Sequence, residues 1–290
     1  MRNSHTSLRK DKKAVSPAVS TVILMAAAVV MILVAMTYAN NILSTKVAQN
    51  EYSANKQFLQ TTGQQIDDIA WTVGRTQTVS FSSRYGFVKF QEAALNYTFS
   101  IHTSSGWKNQ TLAGQTGIIL YNMPVSSYSM GNNYFERLPS GANSSFLLSD
   151  STSPISQVIC EEKLPMSDGS YTRIVLIPTM RVLTSTVTNG QQTSSYFKFY
   201  LPDLENGTNL YRSQSITLTG NGISKVTQSN VDQVVISLSF PQAASLGFGS
   251  SFFNFKSTTI TLNSTSTPQM TPNSVVEFYV GKVVVAIGQV

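Results

Sequence analysis

The sequence predicts an α+β protein: a long N-terminal helix, hydrophobic and then amphipathic, followed by a mostly antiparallel, β-sandwich-like domain. Three observations carry this. An apolar run spans about Ala18 to Ala39. Apolar residues then recur every three or four positions as far as Val73. After Gly74 the period shortens to two.

The apolar run comes first. Val22 through Met36 contains no charged, amide or hydroxyl side chain. With its flanks it covers about 20 residues, or about 30 Å of helix, the thickness of a bilayer core. Backbone polar groups in lipid must pair internally, so the segment must be helical. Ser16 is placed to cap it and Pro17 to occupy its first turn. Arg2, Arg9, Lys10, Lys12 and Lys13 precede it against one anion, Asp11. The positive-inside rule then puts the N-terminus in the cytoplasm and everything after Ala39 outside.

The helical stripe continues through Ile42, Leu43, Val47, Phe58, Leu59, Ile66, Ile69, Ala70 and Val73. No proline interrupts it, and Gly74 is a natural stop. One helix of about 55 residues, about 80 Å long, is expected. Asn40, Asn41 and Gly63 are weak helix formers, the places in it where a kink or break could fall. Such a helix needs a packing partner: the globular domain, neighbouring subunits, or both.

Beyond Gly74, alternation predicts strands at Thr78–Ser82, Gly86–Phe90, Ala94–Ile101, Gly117–Asn122, Arg173–Val187, Tyr196–Leu201, Ser215–Thr219, Val231–Phe240, Phe252–Leu262 and Val275–Ile287. Asn189-Gly190 is a hairpin signal, because both residues tolerate positive φ. Asp168-Gly169 and Asn206-Gly207 are further turn candidates. Phe252, Phe253 and Phe255, and Tyr196, Phe197, Phe199 and Tyr200, are expected to fill the core with alternate members exposed. Residues 123–168 lack periodicity and read as a long loop, or as a boundary between two β subdomains. The expected layout is therefore a basic leader 1–13, an apolar helix 14–39, its amphipathic continuation 40–74 and a β-rich domain 75–290.

Composition narrows the function. Charged residues make up 12% of the chain, against about 25% in average proteins; Ser, Thr, Asn and Gln supply the polarity, which suits an extracellular surface. The net charge is +6, but the five leader cations and Asp11 account for +4 of it. The remaining 15 cations face 13 anions, which gives no support for nucleic-acid binding. A single cysteine, Cys160, rules out an intrachain disulfide and reads as a small buried residue. His5 and His102 are the only histidines, too few for a usual zinc site. Asp67-Asp68 and Glu161-Glu162 are the adjacent carboxylates, a common pattern on solvated faces. Asp203, Glu205 and Asn206 miss the spacing of a calcium loop. No P-loop, dinucleotide turn or nucleophile elbow occurs, so the chain is expected not to be an enzyme and to need no cofactor or metal.

The junction Lys13-Ala14-Val15-Ser16-Pro17-Ala18-Val19-Ser20-Thr21-Val22-Ile23-Leu24 resembles the N-terminus of archaeal type IV pilins, with their prepilin (class III) signal peptide. The resemblance covers the first 40 residues, and the long-helix layout more loosely. It implies cleavage between Lys13 and Ala14 by a prepilin peptidase. It also implies partners: an assembly ATPase, a membrane platform protein and other copies of the chain. The helices, through residues such as Ala18, Val22, Leu24, Ala28, Ile32 and Ala35, would form a filament core, with the β domains displayed at the cell surface for adhesion. Small residues permit close helix approach once the charged leader is gone. The chain departs from bacterial relatives in lacking a glutamate at the fifth mature position, which is Ala18 here. The first carboxylate after the junction is Glu51.

Two other readings of the leader remain: a permanent single-pass anchor for an extracellular β binding domain, and a secretory signal cut after Thr37-Tyr38-Ala39. Sequons at Asn96, Asn109, Asn143, Asn206 and Asn263 are candidate N-glycosylation sites, with Asn143 and Asn206 in loop-like contexts. The strand-rich C-terminal run Val275–Val290 is a candidate for strand donation to a neighbour.

Overall fold

A computed structural model describes residues 16–139, 144–149, 155–189, 192–208, 214–249 and 252–288. The chain divides into two compact units, Met1–Val47 and Ala48–Val290.

Helix α1 runs from Ser16 to Ala70. It is the single 55-residue helix expected, and it passes through Asn40, Asn41 and Gly63 without a break. A poor former inside a helix costs only about 1 kcal/mol, which at Gly63 the packing described below offsets. The chain turns at Gly74, whose φ is +81° and whose amide donates to the Gly220 carbonyl.

Among the described residues twelve strands follow: β1 (Thr76–Ser80), β2 (Phe87–Thr103), β3 (Gly106–Pro124), β4 (Tyr134–Leu138), β5 (Leu147–Leu148), β6 (Ser156–Glu162), β7 (Tyr171–Pro178), β8 (Met180–Asn189), β9 (Gln192–Asn206), β10 (Ser215–Ser239), β11 (Thr259–Leu262) and β12 (Ser274–Gly288). They form one sheet in the order β4-β6-β7-β3-β2-β10-β12-β9-β8-β5, with β1 and β11 joined to β10. All pairs are antiparallel except β9–β12 and β5–β8. The sheet folds over itself. The Leu204 amide of β9 donates to the Thr116 hydroxyl of β3 at 3.1 Å, although the two strands lie four places apart in the sheet. Flat, they would be about 19 Å apart.

Two cores result, one on each face. One is enclosed by the curled sheet and includes Phe99, Ile118, Leu120, Ile177, Phe197, Phe199, Val234 and Phe278. The other lies between the sheet and the 48–70 half of α1, and includes Leu59, Ile66, Ile119, Tyr121, Leu176, Leu218 and Val283. Successive residues of β3 alternate between the two, as the two-residue period requires.

Several expectations change. The short strands around Gly86 and Ala94 are one strand, β2, bent by a bulge at 91–95 where Ala93 has φ +51°. Ser215–Thr219 and Val231–Phe240 are likewise the ends of β10, with bulges at Gly220/Gly222 and Gln228/Val231. The Arg173–Val187 run splits at Thr179, and its halves lie far apart in the sheet order. The 123–168 stretch is not a loop: β4 and β6 extend the same sheet. Every residue of β6 is buried, which removes the alternation that would have revealed it. Only Thr259–Leu262 of the Phe252–Leu262 run is a strand. Phe252 and Phe253 are both buried in an irregular segment, without alternation. Tyr196, Phe197, Phe199 and Tyr200 do alternate, with both phenylalanines in the core. Strands β8 and β9 pair antiparallel as far as Asn189–Gln192, where the hairpin is expected; Gly190 lies outside the described residues. Strand β12 sits between β10 and β9 and is committed to both, so it cannot be donated to a neighbour without dismantling the sheet.

Candidate functional site

In the first unit, the candidate assembly residues Val22, Leu24, Ala28, Ile32 and Ala35 are all exposed, as are their apolar neighbours as far as Leu43. Ala18 is helical. Met25 keeps 75% of its surface and Leu43 62%, values far above those of core residues. The helix is long and apolar enough to cross a membrane, and none of its most apolar window is buried within the protein. The hydroxyls at its lower end return to helix carbonyls: Thr37 Oγ1 donates to Leu33 O at 2.8 Å, and Thr45 Oγ1 to Asn41 O at 3.0 Å. They therefore need no water, which suits an apolar medium.

In the second unit, α1 is clamped to the sheet. The buried stripe is Ala48, Glu51, Tyr52, Asn55, Phe58, Leu59, Thr62, Ile66, Ile69 and Ala70. The spacing of three and four is helical, but three members, Glu51, Asn55 and Thr62, are polar and escape a hydrophobic reading. Glu51 matters most. Its carboxylate accepts the amides of Arg84, Tyr85 and Gly86 at 3.0–3.1 Å and the hydroxyl of Tyr121 at 2.8 Å. Burial first, and Glu51 second, push the Tyr121 hydroxyl well above its usual range, so it remains a donor. Asn55 Nδ2 donates to Ser82 O at 2.7 Å. One helical turn thus binds both ends of the 82–86 turn. Below it, Phe58 packs on Phe81 and Tyr52 on Tyr128. Lys56 pairs with Glu136 at 2.7 Å and Arg181 with Asp67 at 2.8 Å. At the helix end a Cβ on Gly281 would press into the Ala70 carbonyl, so only glycine allows β12 to approach so closely.

The sequence candidates fall into place unevenly. Lys13, Ala14 and Asn143 lie outside the described residues. Asn96 is half-buried in mid-strand, and its side-chain oxygen is buried without a hydrogen-bond partner among the described residues. Asn109 lies on β3. Asn206, at the end of β9, is exposed. Asn263 accepts the Thr265 amide and hydroxyl in a local turn. Cys160 is fully buried, and burial pushes its thiol up to about 11. His102 stands 3.8 Å from Asp232 at the surface. Asp68 pairs with Arg75, and Glu162 accepts hydrogen bonds from Ser129, Met130 and Thr172. Among the described residues, no group of three or more His, Cys, Asp or Glu could hold a metal ion.

Comparison of the chain with protein-family models, with curated proteins and with solved structures finds no match. What stands is a membrane-competent N-terminal apolar helix followed by a large, mostly antiparallel β sheet.

Proposed function

We propose that this chain is a structural subunit of an archaeal type IV pilus-like surface filament. The observation that carries the reading is the run of exposed apolar side chains from Val19 to Leu43, on a helix whose next turns are locked into a folded β unit. Such a surface must be covered by lipid or by other helices. Cleavage of the basic leader at Lys13–Ala14 would remove the charges that hold it in lipid, and small residues such as Ala28 and Ala35 would let copies bundle. A prepilin peptidase, an assembly ATPase and a membrane platform protein are the implied partners, and the β unit would face the cell exterior for adhesion. The junction motif and the positive-inside charge bias support this topology.

The test is the intact mass of the protein sheared from cells. Loss of residues 1–13, with Ala14 as the new N-terminus, is expected. Charge reversal at Lys12 and Lys13 is expected to block that loss. A surface protein that keeps its leader contradicts the proposal.

A further inference from the structure

We propose that the β unit carries a binding site for a neutral sugar ring, set between the edge strand β4, the end of β6 and the 252–258 segment, with Glu161 at its floor. Two open cavities, of about 230 and 370 Å³, share Asn254 as a wall. Cavities of this size suit small-molecule ligands.

Glu161 lines the smaller cavity with Asn133, Phe135 and Lys163. It is 6% exposed, and no hydrogen bond reaches its carboxylate among the described residues. Its neighbour Glu162 is fully served by three donors, and Arg173, opposite Glu161 in the sheet, is committed to Asn122, Leu246 and Asp168. Buried polar groups are nearly always paired, so a lone carboxylate lining a cavity points to a partner from outside. The larger cavity is lined by three phenyl rings, those of Phe240, Phe253 and Phe255. The rings of Phe240 and Phe253 stack at 4.3 Å, and Phe255 lies parallel to Phe253 at 6.0 Å. Arg137 covers one side of Phe255 and donates to the Phe253 carbonyl, which fixes the lining in place.

The lining selects the ligand class. Glu161 disfavours an anion, while Lys163 disfavours a cation. Carboxylate, amide and cation can all engage hydroxyl groups. A phenyl-rich lining suits the apolar C–H groups of a pyranose. Burial, opposed by Lys163 and Arg173, pushes Glu161 up to about 7, so near neutrality it can serve a hydroxyl as acceptor or as donor. The site lies wholly within the second unit and does not depend on the filament reading.

The test uses the full chain, made in a host without N-glycosylation and held in a detergent lacking sugar headgroups. Methyl pyranosides of glucose, mannose, galactose and N-acetylglucosamine are titrated by saturation-transfer NMR, beside glucuronate and glucosamine. Binding of at least one neutral glycoside is expected, weakened about tenfold by Glu161→Gln and by Asn254→Ala, with thermal unfolding confirming that each variant is folded. If Glu161→Gln fails to fold, Asn254→Ala carries the test. No binding of any glycoside overturns the proposal, as does binding that both variants leave unchanged. Preference for a charged sugar overturns the ligand class. Filament formation by Glu161→Gln is expected to be normal, which separates failure here from failure of the functional reading.

Discussion

Glu51 is the residue on which the attachment of helix to sheet depends, and its removal has a calculable consequence. Glu51→Ala strips the acceptor from three backbone amides and the Tyr121 hydroxyl at a position only 5% exposed. A hydrogen bond to a charged group contributes about 1.5–3 kcal/mol, but the four are not additive, because one vacancy can admit water. Removing one partner of a buried charged network costs about 3–5 kcal/mol in total. For a folded unit of this size that lowers the unfolding midpoint by about 10 °C. Glu51→Gln keeps the oxygen that accepts most of these bonds but sets an amide against the Tyr85 N–H at 3.0 Å, so a loss of about 1–2 kcal/mol is expected. Thermal unfolding of the full chain in detergent measures both. Hydrogen exchange at Arg84, Tyr85 and Gly86 should accelerate before the rest of the sheet responds. A Glu51→Ala protein within about 0.5 kcal/mol of the parent, the scale of an ordinary surface change, would refute the clamp.

Gly281→Ala should destabilise by about 1–3 kcal/mol through overpacking, whereas Gly222→Ala, with nothing within 4 Å, should not; paired denaturant titrations check this. Glu161 has a folded-state value of about 7 against an ordinary 4.5, so the folded state binds its proton more tightly than the unfolded chain does. Its contribution is complete below about pH 4.5 and is lost as pH rises through about 7. Glu161→Gln should therefore flatten that part of the stability profile and be the more stable protein above pH 7, leaving the lower part of the window to Asp203, which burial and Glu205 push up to about 6. Parallel profiles for parent and variant would contradict this. In a glycosylating host, peptide mass spectrometry should find glycan at exposed Asn206 and none at half-buried Asn96. Leu24→Arg should abolish membrane insertion, at a cost of about 2.5–3.5 kcal/mol at the helix centre, and leave the β unit folded by circular dichroism.

The periodicities that were easy to read are those with one solvent-facing side. Phe197 and Phe199 alternate with Tyr196 and Tyr200 because β9 has a core face and an outer face there. Strand β6 has a core on each side, so its Ser-Gln-Val-Ile-Cys-Glu-Glu order carries no period. The stripe on α1 was legible at Phe58, Leu59, Ile66 and Ile69, and lost at Glu51 and Asn55. There the helix meets a turn whose amides and carbonyl need polar partners. Spacing alone would have found both residues, since they lie seven and three positions before Phe58, but their chemistry pointed to solvent. The joining of short strands into β2 and β10 depends on bulges, which local sequence does not announce. The Glu161 cavity brings together three segments distant in sequence, so no motif could mark it.

The central claim is that the apolar helix moves from lipid into contact with copies of itself. Single cysteines at Val22, Leu24, Ala28, Ile32 and Ala35, set against the buried Cys160 of the parent, test it by oxidation of material sheared from the cell surface. The account predicts disulfide-linked dimers at some of these positions and none in the parent. Monomers at all five, with the protein confined to the membrane fraction, would contradict it.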